Sequence, residues 1–360
     1  MAGLWLWLLR AAPWVGGNDR WELVAALRSV AYGEVVATGE REAWAFGWDI
    51  LGIAAWVPVA DGPHRPTAFR WDGGRWRKSD FPVELGDVGS VAASGPSNVW
   101  ALAGGSVVRW DGRSWTVVRE TPASALAVVA DDDVWVFGDR RAWRFDGVTW
   151  SERDVPFSAF RVSARSGSDI WVLDGAAPWV YRFDGVGWAV VDLAGVLPQA
   201  PPPSDESPPG PADFRLSAIT ADPSGVWIIG EIGMSSFLVF QTGSGWRGED
   251  TSVTAGRMVR GLAPVPDGVG GHWFAGSSDV DGSDSALARR DSSGRWSKVP
   301  CGGELTSLSA VAGGPLLVTG VIGGARGVSR SGLSVWFRGS RVDGWLDVLL
   351  IRCPWCGAWF

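Results

Sequence analysis

The sequence predicts an all-β chain assembled from repeated four-stranded antiparallel units, and three observations carry that expectation. A tryptophan-centred apolar landmark recurs as AWAFG at Trp44, NVWALAG at Trp100, DVWVFG at Trp135, DIWVLDG at Trp171, GVWIIG at Trp227 and HWFAG at Trp273, with LLVTG placing Leu317 in the same slot. A second motif alternates strictly with the first: RWDGGRW ending at Trp76, RWDGRSW at Trp115, RFDGVTW at Trp150, RFDGVGW at Trp188, and weaker copies ending at Trp246 and Trp296. The uninterrupted landmarks Trp100, Trp135 and Trp171 are 35 and 36 residues apart. That period falls in the range of structural repeats and suits four strands of roughly five or six residues with their turns.

Each unit reads as strand A (typified by Val88 to Ser94), strand B (the landmark), strand C (VVRWDG) and strand D (WTVV). Strand B is apolar at consecutive positions, as in Val99, Trp100, Ala101 and Leu102, so both faces of its sheet must be covered. The Asp-Gly between C and D is expected at the centre of a two-residue hairpin with positive φ at both positions, which makes Asp111 a corner residue and Trp110 and Trp115 cross-strand neighbours. Radial stacking of such sheets covers both faces, and closing the ring leaves no long free edge. The expected fold is therefore a β-propeller of four-stranded antiparallel blades in a single domain, 1–360. Seven complete units start near Leu27, Val88, Ala125, Phe157, Leu216, Met258 and Leu305, and a partial one, LWLLRAAPWVGGNDRWELV, precedes them. Seven or eight blades follow, with Leu350 to Phe360 expected to supply the strand that the partial unit lacks.

These repeats resemble the bacterial propellers built from DVWAVG and WDGxxW units, and their period and tryptophan spacing are similar to those of tectonin-type propellers, whose members include lectins. The resemblance covers nearly the whole chain. It implies the fold and an extracellular or cell-surface setting, but brings no ligand-binding residue, because no matching loop motif occurs. The likeness of WDGxxW to the sialidase Asp-box is superficial, since Asp111 and Gly112 are adjacent where that motif has an intervening residue.

Composition excludes several functions. The formal charge of −7 and the absence of any basic run argue against nucleic-acid binding. No stretch is long enough for a membrane-spanning helix, and Met1 to Leu9 lacks the positive charge of a secretory signal. Two histidines leave little for a His-based metal site or triad. His272 precedes the landmark Trp273 and reads as structural, whereas His64 and Arg65 lie in the longer DGPHRP connection and are candidate ligand contacts. Of the 26 tryptophans most fill blade positions. Trp143 and Trp179 are among the few left without one, and only Trp48 and Trp56, in or beside an insertion, are nominated as binding platforms. Asp279, Asp281 and Asp284 in SSDVDGSDS have the ligand type and turn chemistry of a partial calcium loop. No other cofactor is expected. The CPWC pair, Cys353 and Cys356 in the 352–360 tail, lacks the further ligands a structural zinc needs.

Long connections at 48–66, 276–285 and 321–333 (B to C) and at 193–214 (D to A) all open on one face of the disc, and the last, with seven of the 22 prolines, is expected to be an extended arm. Variable loops on a rigid scaffold favour binding. The expected function is a monomeric, non-catalytic propeller that recognises a protein or glycan through that loop-rich face; the alternative is a carbohydrate-active enzyme, a hydrolase or lyase, whose dispersed carboxylates converge in three dimensions.

Overall fold

In a computed structural model of the chain, residues 22–25, 30–49, 65–84, 86–198, 214–232, 235–243, 245–251, 257–258, 262–277, 285–300, 304–310, 316–321 and 333–338 are described. Among them every regular element is a strand, and the strands form six antiparallel sheets. The first comprises Val30–Gly39, Glu42–Asp49, Arg65–Trp71 and Trp76–Ser79, and the second Val88–Gly95, Asn98–Ala103, Ser106–Trp110 and Trp115–Glu120. Residues 123–191 form one six-stranded sheet, and two more blades follow at 214–250 and 257–300. The expectation of seven or eight separate blades is corrected here: five sheets stand as individual four-position blades, and the 123–191 region hydrogen-bonds as a single sheet. Its strand Trp150–Ser166 pairs backwards with Asp133–Phe145 through Trp150 to Ser158, where the register shifts across Pro156, and forwards with Asp169–Asp174 through Ala159 to Ser166.

Closure also differs from expectation. Glu304–Ala310, Leu316–Val321 and Leu333–Arg338 are completed by Glu22–Ala25, whose Leu23 lies opposite Trp336. The strand after Trp21 thus takes the outermost position of the last blade. The C-terminal residues 350–360 lie outside the described residues. An unpaired outer edge at Leu333–Arg338 would template aggregation, and the N-terminal strand removes it. The two chain ends meet again at the innermost strands, where Ser307 Oγ and Ser309 Oγ accept hydrogen bonds from the backbone N–H of Val35 (3.2 Å) and Ala37 (2.9 Å).

Strand B is buried on both faces: every residue of Asn98–Ala103 is buried, as are seven of the eight in Gly225–Ile232. The landmark tryptophan of one unit packs onto the C–D hairpin of the next. Trp44 meets Trp110 at 4.8 Å and Trp115 at 5.0 Å, Trp100 meets Phe145 at 5.6 Å and Trp150 at 6.0 Å, and Trp171 meets Trp246 at 5.8 Å between ring centroids. Edge-on and tilted ring pairs at such distances add to the area they bury. Leu317 occupies the degenerate slot and packs with Phe69 of the first blade.

A polar clamp orients each of three landmark rings. Asn98, Asp133 and Asp169 sit two residues before the tryptophan, and one oxygen of each accepts both the indole N–H (2.9 Å in all three) and the Nε–H of the strand C arginine, Arg109 (3.0 Å), Arg144 (2.8 Å) or Arg182 (2.8 Å). The guanidinium then lies 5.2 Å from the centroid of the same ring. Burial alone would raise the Asp169 carboxyl, but hydrogen bonds from Arg165 and Arg182 outweigh it and hold it below its ordinary value. The clamp needs an acceptor two residues before the ring. In the first blade Glu42 is one methylene longer; it reaches Arg70 at 3.2 Å, while the Trp44 indole N–H is buried with no partner.

The Asp-Gly turns also depart from the expected two-residue type. Trp110 pairs directly with Trp115, so the loop holds four residues, Asp111 to Ser114. Asp111 Oδ1 accepts the backbone N–H groups of Arg113 (2.8 Å) and Ser114 (2.9 Å), and those bonds hold its carboxyl below the usual range. Only the glycine is left-handed, at φ 96°. The equivalent Gly147 has φ 92°, and a Cβ there would come within 2.8 Å of Asp132 in the A–B turn, so both conformation and contact demand glycine.

Asp133→Ala leaves the Trp135 indole and Arg144 without their shared acceptor and should lower stability by about 2 kcal/mol in denaturant unfolding, whereas Asp133→Asn, which keeps an acceptor as Asn98 does, should cost well under half of that.

Candidate functional site

The innermost strands surround a channel, and their first residues lie on the face where the B–C and D–A connections open. In six of these strands the register slips by one residue at the same level: between Tyr32 and Glu34, Val88 and Ser90, Ala123 and Ala125, Ala159 and Arg161, Leu216 and Ala218, and Leu305 and Ser307. A bulge re-aims the side chain that follows it. Glu34, Ser90, Arg161 and Ser307 therefore form the polar part of one ring of residues at the channel mouth.

Glu34 and Arg161 belong to innermost strands that are not neighbours, and they influence each other across the opening. Ser307 Oγ donates to Glu34 Oε2 at 3.3 Å. Burial pushes the Glu34 carboxyl up from 4.5 to about 7, against the opposing pull of Arg161 and of Ser307. Arg161 is lowered by burial and pulled back by Glu34; its guanidinium donates to the Phe160 carbonyl at 3.0 Å and lies 4.2 Å from the Phe160 ring centroid. Below this ring a cavity of about 230 Å³ is lined by Ser90 to Ala92, Leu126 to Val128 and Val162 to Ala164. A second cavity of about 200 Å³ opens on the same face between Asp87, Gly104, Gly105 and Ser106 on one side and Thr121, Ala123 and Ser124 on the other.

The rim beside Arg161 carries an exposed aromatic. Trp179, in the B–C connection after Asp174, is 52% exposed and sits 6.4 Å from the buried ring of Tyr181. Burial first, then Asp174, raises the Tyr181 phenol, and Arg140 acts in the opposite sense. Arg140 is the one non-glycine residue with positive φ (53°) among the described residues, in the tight B–C turn of the neighbouring unit. Such conformations persist where surrounding structure holds them and are enriched at functional sites. On the opposite face the exposed apolar residues are Val148, Val186 and Val269, one at each of three separate turns, which is ordinary surface scatter.

Of the residues nominated from sequence, Trp48 and Arg65 alone are described, and they lie one register position apart on paired strands. Trp48 lies in strand Glu42–Asp49, in register with Ala31 and Pro66, and Arg65 is exposed at the start of its strand opposite Asp49. Trp56, His64, Asp279, Asp281, Asp284, Cys353 and Cys356 lie outside the described residues. Among the described residues no group of three or more His, Cys, Asp or Glu side chains could hold a metal ion, and no helix is long and apolar enough to cross a membrane. His272 is structural as expected: 1% exposed, its Nε2 is 2.5 Å from Asp222 Oδ2 and its ring 4.1 Å from that of Trp227. The expected arm at 193–214 is docked at its start, where Val196 and Leu197 N–H groups bond to the Leu193 carbonyl and Leu193 is buried; residues 199–213 lie outside the described residues. Sequence reading missed Glu34, Arg161 and Trp179. The available signal was Trp179 itself, a ring with no blade role in a connection; Glu34 and Arg161 carried none, since nothing local sets them apart from other charged strand residues such as Glu152 and Arg165.

The chain is structurally similar to YCF48 bound to a D1 peptide (TM-score 0.57, 12% identity, covering 94% of this chain and 100% of that one). It is also similar to YCF48 from Cyanidioschyzon merolae (0.55, 12%, 89% and 98%) and to the β-propeller domain of the Trilobed protease from Pyrococcus furiosus (0.55, 11%, 85% and 93%). No protein-family model matches the chain, and neither does any curated protein. At these identities the likeness shows the fold: this is a β-propeller of four-stranded antiparallel blades.

Because the folded-state value of Glu34 lies above its ordinary one, its contribution to stability is full below about pH 4.5 and is lost as pH rises through about 7. Glu34→Gln should flatten that part of the stability profile, measured by urea unfolding across pH 4 to 8. Trp179→Ala, removing an exposed ring, should change stability by less than about 0.5 kcal/mol, against about 3–5 kcal/mol for Trp135→Ala.

Proposed function

We propose that the chain is a non-catalytic binding propeller that recognises a protein or peptide, or a glycan, through its loop-rich face.

The observation that carries the binding reading is the convergence on one face of the Glu34–Arg161 mouth, two cavities and the exposed Trp179. Broad rings with a polar edge suit peptide and sugar surfaces alike. A peptide is bound by YCF48 in one of the similar structures, which supports a propeller of this shape as a peptide receptor. The enzyme reading requires a second carboxylate facing the first at a catalytic separation. Glu34 has the raised carboxyl a general acid needs, but a guanidinium faces it, and this favours binding over glycoside hydrolysis.

The test is retention on peptide and glycan arrays beside a hydrolysis assay on the retained sugars. Trp179→Ala and shortening of the 199–213 connection should each abolish retention while the melting transition stays in place. Turnover of a retained glycan, or loss of retention only after changes to the C–D turns, would overturn the reading.

A further inference from the structure

Glu34 and Arg161 are opposite charges held at one level of the channel mouth, each from a different side, and each already committed to its own wall. Glu34 accepts from Ser307 of the adjacent innermost strand, and Arg161 donates to the Phe160 carbonyl and stacks on the Phe160 ring. They attract across the opening without closing into an ion pair. Both are partly withdrawn from water, so each keeps hydrogen-bonding capacity that the channel wall does not meet. Among the described residues the remaining ring positions offer no competing charge: Ser90 and Ser307 are hydroxyls, and Ala125 and Ala218 are methyl groups.

A cation entering this gap would gain Glu34 but face Arg161, and an anion would gain Arg161 but face Glu34. A ligand carrying both charges a few ångströms apart meets each with its complement. The cavity beneath the ring, about 230 Å³, is below the ~300 Å³ at which pockets for drug-sized ligands begin, and the surface it presents between Ser90 and Ala92, Leu126 and Val128, and Val162 and Ala164 is mostly polar. A small polar molecule fits that description.

We propose that the channel mouth binds a small zwitterion, a free α-amino acid or a dipeptide, with its ammonium on Glu34 and its carboxylate on Arg161. The inference rests on reading the loop-rich face as a binding surface and assigns the chemistry of its centre. Binding of the ammonium needs the ionised carboxylate, so affinity rises with pH up to the region of 7, where Glu34 titrates; Arg161 is the charged group facing it, Ser307 and Ser90 the neutral polar ones among the described side chains.

The experiment is titration calorimetry of the full chain with small α-amino acids, each beside its methyl ester and its N-acetyl derivative, and with dipeptides. The parent amino acid should bind, and each blocked form, lacking one charge, should bind at least tenfold more weakly. Lowering the pH from 7 to 5 should weaken binding by about tenfold per unit. Glu34→Gln should remove the penalty for N-acetylation and Arg161→Gln the penalty for esterification, with both variants melting near the parent temperature. Preference for dipeptides over free amino acids would support the same charge pairing at a wider separation. Equal binding of the ester or the N-acetyl derivative, or no heat from any zwitterion at millimolar concentration, would overturn the proposal. The comparison of blocked ligands uses the unaltered chain, so it stands even where a variant fails to fold. Retention of peptides on the arrays despite a negative titration would remove this inference alone and leave the binding reading intact.

Discussion

The structure depends on one contact, repeated around the ring: a tryptophan at the centre of one blade pressed against the C–D hairpin of the next. Trp44 does this with Trp110 and Trp115, Trp100 with Phe145 and Trp150, and Trp171 with Trp246. Burial of large rings is the main favourable term available to a chain whose described residues show no helix and whose three cysteines include two at the far C-terminus. Because the ring is buried on both sides, its indole N–H gains from an internal acceptor, and at Trp100, Trp135 and Trp171 the residue two positions before it supplies one that the arginine opposite shares. Packing and polar satisfaction thus arrive through the same short motif.

That motif gives the abundant arginine a structural role. Arginine can donate sideways to a carboxylate while its plane covers an aromatic face, which lysine cannot do. In Arg109, Arg144 and Arg182 both contacts occur at once, on Asn98 and Trp100, Asp133 and Trp135, and Asp169 and Trp171. Three of the arginines are therefore part of the chemistry of the clamp. With the outer three strands held this way, the innermost strand is left to define the channel, and its bulge sets which side chains reach the mouth.

Much of the fold was legible because repetition samples the same physics several times. The consecutive burial of Asn98–Ala103, the pairing of Trp110 with Trp115 and the role of Asp111 as a corner all followed from local pattern. The hairpin type did not, since a four-residue loop and a two-residue loop both bring the two tryptophans together, and only the φ values and the bonds to Arg113 and Ser114 separate them. Glu34 and Arg161 were illegible for a different reason. They are 127 residues apart (161 − 34) and meet only because the ring brings their strands around a common axis.

The sequence by itself determined the strand order within a blade, the two-sided burial of strand B and the positions where glycine is required, because each depends on neighbours close in the chain. Tertiary structure decided how the ring closes, through Glu22–Ala25 on Leu333–Arg338, and which polar groups share the channel mouth. Closure is a contest between distant strand edges, and a channel is lined by one residue from each of several blades. Neither leaves a mark on any short stretch of sequence.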